Sequence, residues 1–192
     1  MTARGTALSV RVPAVADIPA LVGVLNTNLG SGLYSAVALE RDLDQPTARV
    51  LAAYAEETLV GGAVSRLLEP VDVGYYERFG NTARAVFVTG PIGSIEALAV
   101  SPAARRAGVG RGLLLDSLAW CRGQGCMVAV AISWMSGASG ISAPLFAVAG
   151  FTMGETIADF YLEDSLRGGW GCPVCGPGCR CAGQFVSLRL DP

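Results

Sequence analysis

The apolar positions fall into short runs with two different periods. Residues 8–12 are β-compatible and end at Pro13; Asp17 then stands at an N-cap position, with Pro19 just inside and Leu21, Val22 and Leu25 at helical spacing. This predicts a strand followed by a helix. Residues 49–55 and 59–67 are two more strand-like runs on either side of Glu56, Glu57 and Thr58, which predicts a hairpin. The least periodic stretch, residues 69–93, reads as an irregular excursion returning through a strand at 85–89. Residues 94–100 form a strand closed by Ser101-Pro102, and residues 109–122 form a helix with Leu114, Leu118 and Cys121 on one face. The apolar run at 126–134, interrupted by Ser133, fits a strand buried on both faces. A helix at 142–149 ends at Gly150, and strands are expected at 156–162 and 184–190. With no long-period repeat or linker, residues 1–192 read as one domain, an α/β (α+β) sheet with helices on its faces.

Composition narrows the chemistry. All 14 basic residues are Arg, so the 192-residue chain has neither Lys nor His. That excludes Ser-His-Asp and Cys-His nucleophiles, His-liganded zinc, Lys Schiff bases and a Walker-type phosphate loop. At this length roughly 70% of the unfolded surface is buried, so disulfide staples are not required. The chain is 52% apolar and 16% charged, and residues 123–154 carry no charge. Their longest apolar run, 126–132, is nevertheless far short of the ~20 residues that span a bilayer. The N-terminus shows no basic leader joined to an apolar block, so the expected location is cytoplasmic, with no membrane partner. A net charge of −2 without a basic run argues against nucleic acid.

Between the central strand and the following helix lies Arg105-Arg106-Ala107-Gly108-Val109-Gly110-Arg111-Gly112. Glycines allow close backbone approach, the first amides of a helix are unpaired donors, and the dipole favours an anion, so this turn suits a pyrophosphate. An ordinary tight turn with surface arginines is the alternative. A dinucleotide fingerprint fails, because Leu113 stands where its last Gly or Ala belongs and no acidic residue follows about 20 positions on.

The run Ile95-Glu96-Ala97-Leu98-Ala99-Val100-Ser101-Pro102, then Arg105-x-x-Gly108-x-Gly110, then a Leu-rich helix, resembles the acetyl-CoA core of the GNAT superfamily of N-acetyltransferases. Ala143-Pro144-Leu145-Phe146 with Gly150-Phe151-Thr152 is similar to that family's later helix-to-strand segment. The resemblance implies a mixed, mostly antiparallel twisted sheet with helices on both faces. It also implies acetyl transfer from acetyl-CoA to a primary amine of a small molecule or peptide, by direct attack on the thioester, with a possible homodimer. The pyrophosphate would rest on Arg106, Ala107, Gly108, Val109, Gly110, Arg111 and Gly112 beside Arg105, and the pantetheine arm on Leu98, Ala99 and Val100. Glu96 stands where relatives carry a general base; pairing with an Arg at the sheet surface is its other reading. Phe146 replaces the Tyr that relatives place near the thiolate, and Ser139 replaces an Asn. The proton then comes from Tyr161, Ser139 or water, or the thiolate leaves unassisted. The missing hydroxyl keeps a non-catalytic CoA-binding sensor or a protein-interaction module as alternatives.

Cys172-Pro-Val-Cys175-Gly-Pro-Gly-Cys179-Arg-Cys181 places four cysteines in ten residues, in a loop at 170–183 between the last two strands. Without His, a metal site here is all-thiolate. Structural Zn²⁺ on Cys172, Cys175, Cys179 and Cys181 is expected, with another metal or redox thiols as alternatives. Cys121 and Cys126 are expected to be buried. Acceptor specificity is expected in residues 26–34 and 69–84 together with the cysteine loop; Glu69, Asp72, Glu77 and Glu163 either favour a cationic amine or are solvated surface charge.

Overall fold

The computed structural model describes residues 7–190 apart from Thr89, Gly137, Ala138 and Ile141, with Ser139 and Gly140 described in backbone only. Eight strands form one sheet: β1 (Leu8–Arg11), β2 (Ala48–Ala55), β3 (Thr58–Leu67), β4 (Ile92–Val100), β5 (Val128–Ser136), β6 (Ser139–Gly140), β7 (Thr152–Ile157) and β8 (Ala182–Arg189). Their order is β1-β2-β3-β4-β5-β8-β7, with β6 folded back on β5. Among the described residues only the β4–β5 pair is parallel, which makes the sheet mixed and mostly antiparallel, as expected.

The helices are α1 (Ile18–Leu29), α2 (Ala36–Leu43), α3 (Val73–Tyr76), α4 (Gly80–Phe87), α5 (Val109–Gly123), α6 (Ala143–Val148) and α7 (Leu162–Gly168). Against one face of the sheet, Ile18, Leu21 and Leu25 of α1 bury Val64, Ala97 and Ala99. Beside them Tyr76, Phe79 and Ala83 cover Val128, Val130 and Phe185. On the other face Leu114, Leu118 and Cys121 of α5 pack with Ile95, Ala129 and Val186. Cys121 and Cys126 are buried there.

Two local features of β4 make the site. Its pairing with β3 runs Val64↔Ala97 and then Ser65↔Ile95, so Glu96 is the extra residue of a β-bulge. Ile95 therefore faces α5, whereas Ala97 and Ala99 face α1. Pairing with β5 stops at Ile95↔Ala131, although both strands continue. Beyond that point β4 has an open edge.

Three expectations are corrected. Residues 85–89 were expected as a strand, but 85–87 complete α4; a four-residue apolar run has no period of its own, and Phe87 turns to pack on Tyr76 at 5.4 Å between centroids. The strand expected at 156–162 starts and ends earlier, as β7; Asp159, at φ 53, breaks it and α7 follows. Helix α2 was not foreseen, although Ser35 caps it by accepting from Ala38 N at 3.2 Å. Asp17 does stand before α1, but its carboxylate serves Ala14 N at 3.1 Å and Tyr54 Oη at 2.6 Å instead of capping.

Candidate active site

Where β4 and β5 part, a cleft of about 980 Å³ opens. Leu98, Ala99, Val100, Arg105, Arg106, Gly108, Gly110 and Arg111 line it toward the C-terminal end of β4. Glu96 lies four residues back along the strand, about 13 Å at 3.3 Å per residue, in a wall shared with Tyr34, Tyr75, Tyr161, Asp164 and Trp170. The cleft is thus cationic toward the turn and acidic and aromatic toward the bulge.

The turn is built to present amides. Gly108 caps α5 with φ 85, a left-handed conformation that disfavours a side chain, and its carbonyl accepts from Gly112 N at 2.9 Å. The amides between them start a 15-residue helix and have no partner one turn back. Arg105 folds inward, with Nε donating to Val100 O at 3.1 Å and Nη2 to Asn28 Oδ1 at 3.0 Å. This ties the turn to the end of β4 and to α1.

Glu96 Oε2 accepts from Arg66 Nε at 2.8 Å, and the same guanidinium reaches Oδ2 of Asp42, which is 2% exposed. Although a third of the Glu96 side chain is open, the concave wall desolvates it, and this outweighs the Arg66 charge and hydrogen bond. Its pKa is raised above the ordinary Glu value, with Asp42 and Asp72 adding to the rise. For Arg66 the balance is reversed: burial disfavours its charge, but Glu96 and Asp42 hold its pKa up. Tyr34 is pinned by Asn26, whose side chain donates to Tyr34 O at 2.9 Å and accepts from Tyr34 N at 2.8 Å. Burial raises the Tyr161 pKa well above the usual phenol value, followed by the influence of Tyr75 and the nearby cysteines, so its hydroxyl keeps its proton at neutral pH. Tyr75 Oη donates to Asp164 Oδ2 at 2.9 Å, joining α3 to α7.

The four cysteine thiols lie within 4.8 Å of one another. Sγ–Sγ distances are 3.9 Å for Cys172–Cys181 and 3.6 Å for both Cys175–Cys179 and Cys175–Cys181. Four thiolates at the usual Zn–S length of about 2.3 Å span tetrahedron edges of about 3.8 Å, so the donor set fits that ion. Disulfides need a far shorter separation, near 2.05 Å. The loop is held around the sulfurs by Cys172 N to Gly176 O and Gly176 N to Cys172 O, both at 2.9 Å, and by Cys179 N to Ser165 Oγ at 2.8 Å. Trp134, Tyr161 and Trp170 pack on this cluster and all line the cleft. Ser31 and Gly171 exchange two backbone hydrogen bonds, of 2.8 and 3.1 Å, so the loop is also fastened to the segment preceding Tyr34. Trp170 rests on Gly30, where a Cβ would stand 2.8 Å from its ring.

The model of the acetyltransferase (GNAT) family matches residues 27–140. The chain belongs to this family. With that membership it is an acetyl-CoA-dependent acyltransferase. Comparison with curated proteins finds no match. Solved structures show the same fold. The ribosomal-protein-S18-alanine N-acetyltransferase of Escherichia coli is 13% identical, with a TM-score of 0.64 over 97% of this chain and 96% of that one. The ribosomal-protein-alanine N-acetyltransferase of Brucella melitensis is 20% identical, with a TM-score of 0.64 over 95% and 99%. The yncA protein of Salmonella typhimurium, solved with its cofactor acetyl-CoA, is 18% identical, with a TM-score of 0.63 over 96% and 95%.

Within this GNAT fold, the structure gathers Glu96, Tyr161 and most of the expected cofactor residues around one cleft. Val109 is different: its side chain is 4% exposed and packs under β2 and β3, so only its backbone is available to a ligand. Ala107 and Gly112 do not line the cleft either. Phe146 is buried edge-on against Phe151 at 5.0 Å. The Ser139 side chain lies outside the described residues. Sequence reasoning missed the Asp42-Arg66 pair, Asp164 and Ser142, whose hydroxyl is 2.9 Å from that of Ser133, and it named the segments of Asn28 and Trp170 without their contacts. No local motif marks them, because each meets the site through a partner distant in sequence.

Proposed function

We propose that this GNAT acyltransferase acetylates a primary amine, of a small molecule or a peptide, within a single domain spanning residues 1–192. The observation that carries the reading is Glu96, raised in pKa and set by a β-bulge in the wall of the same cleft that the glycine turn enters. Of the expected run 106–112, the amides of Val109, Gly110 and Arg111, with the side chains of Arg106 and Arg111, hold the pyrophosphate, while Gly112 N is spent on Gly108 O and Arg105 braces the turn. The open edge of β4 at Leu98, Ala99 and Val100 pairs with the pantetheine arm. The amine attacks the thioester carbonyl: a C–N bond forms, the C–S bond breaks, and Glu96 takes the amine proton directly or through water. Tyr161, protonated at neutral pH, supports the departing sulfur by donating a hydrogen bond.

Steady-state release of CoA with a panel of amines tests this reading. Acetyl-CoA at 100 times its Kd is expected to add about 2.7 kcal/mol of stability in a thermal titration. Gly108→Val, which forces a β-branched side chain into φ 85, should remove most of that gain and itself cost ~1–2 kcal/mol.

The same proposal places structural Zn²⁺ on Cys172, Cys175, Cys179 and Cys181, supported by the sulfur spacing. The ion would supply a rigid closed cross-link, with no open position to activate water. Native mass spectrometry is expected to find one metal per chain. Thiolates of this kind suit the reducing conditions of the cytoplasm, which is the proposed location.

A further inference from the structure

Behind the bulge lies a second chamber of about 440 Å³. Five residues, Tyr75, Ile95, Glu96, Ile132 and Tyr161, line both it and the main cleft, so Glu96 is reached from either side. The chamber's own walls are Leu68, Val71, Asp72 and Tyr76. They belong to the segment joining β3 to β4, Leu68 directly after β3 and the others in its helical turns, so they lie apart from the glycine turn.

The two spaces differ in charge. The cleft carries Arg105, Arg106 and Arg111 toward the turn, with Glu96 and Asp164 toward the bulge, whereas the described residues lining the chamber include Asp72 and Glu96 and no arginine. Neither nearby cation is free. Arg66 is shared between Glu96 and Asp42. Arg78 lies 4.3 Å over the Phe160 ring and 6.0 Å from the Tyr75 ring, and donates to Phe160 O at 3.1 Å. The remaining surface is aliphatic, from Leu68, Val71, Ile95 and Ile132, or tyrosine. Such walls accept an ammonium group on an apolar stem and offer a carboxylate no cation among the described lining residues. A carboxylate next to the amine would instead face Asp72 and Glu96, and like charges brought together cost several kcal/mol.

Resting on the acetyl-transfer reading above, we infer that the acceptor amine enters through this chamber and that it carries no carboxylate on its α-carbon. Free amino acids are excluded, and amines or chains whose carboxyl is amidated are accepted. Alkylamines and peptide N-termini share this chemistry, and the assay separates them.

The test uses the full-length protein and acetyl-CoA with matched probes: phenethylamine against phenylalanine, and alaninamide and an Ala-initial tripeptide amide against alanine. The amine and amide members are expected to be acetylated with kcat/KM at least ~100-fold above their amino acids. A preference for phenethylamine or for the tripeptide amide identifies the source of the stem. Val71 is 82% exposed, so Val71→Trp narrows the mouth without disturbing the core. It should raise the amine KM at least tenfold and leave the acetyl-CoA Kd unchanged. Parity between amides and amino acids, or an unchanged amine KM in Val71→Trp, would overturn this inference alone. Absence of acetylation with every probe, while acetyl-CoA still binds, would overturn the amine-acetylation reading and this inference with it.

Discussion

Glu96→Gln is expected to lower kcat by ~10²–10⁴-fold, the usual contribution of a positioned base, while the acetyl-CoA Kd stays unchanged. Gln keeps an oxygen to accept from Arg66 Nε, so the bulge should survive the substitution. The pH profile should carry the same signature. A base works deprotonated, so the rate rises with pH through the Glu96 pKa, and desolvation places that limb above the ordinary Glu value near 4.3. In Glu96→Gln the limb should vanish. Comparing two amines of different basicity identifies it, since a limb belonging to Glu96 does not follow the amine. Taking away Arg66 removes the influences that lower this pKa, so Arg66→Met should move the limb to higher pH. The comparison is best made in an Asp42→Asn background, because stranding the 2%-exposed Asp42 would cost ~3–5 kcal/mol. Stability follows with a definite sign. A carboxyl whose folded pKa is raised binds its proton more tightly in the native state. Wild type should therefore lose stability relative to Glu96→Gln as pH rises from the unfolded Glu value through the folded one. A full-rate Glu96→Gln enzyme would remove the base assignment.

Cys179→Ser, or chelation of the proposed metal, should produce the largest structural effect. Opening a cross-link that closes the loop from Cys172 to Cys181 forfeits ~3 kcal/mol by chain-entropy reasoning, and at ~2–4 °C per kcal/mol Tm should fall on the order of 10 °C. The functional loss should be one-sided. Trp134, Tyr161 and Trp170 lean on the sulfurs, and Gly171 is bonded to Ser31, so the aromatic end of the cleft loosens. The glycine turn is braced separately by Arg105. The amine KM should rise while the acetyl-CoA Kd holds, with Trp134 and Trp170 reporting the change by fluorescence. Equal weakening of both substrates would show that the loop has no special tie to the acceptor end.

Much of the fold was legible because its elements announce themselves locally. The helix at residues 109–122 has an apolar face with a 3.6 period, and the apolar run at 126–134 has the length and uniformity typical of a strand between two layers. The glycine turn was readable because backbone requirements are written directly as residue types, as Gly108 at φ 85 shows. Residues 69–93 were not readable, since their helices are held by Tyr76 and Phe79 against strands distant in sequence. Glu96 was identifiable as a residue but not as an environment. Whether it is a base or an ion-pair partner was open in the sequence, and in the fold it pairs with Arg66 and lines the cleft at once.

Residue order alone was enough for the layered α/β architecture, the glycine turn, the exclusion of His and Lys chemistry and the all-thiolate character of any metal site. These depend on periodicity and on which side chains exist, both of which are local properties. The folded chain alone reveals the bulge that puts Glu96 and Ala97 out of ordinary alternation, the parting of β4 from β5, the Asp42-Arg66-Glu96 bridge and the second chamber. Each arises from register and contact between segments far apart in the chain, and no single stretch of residues encodes such a relation.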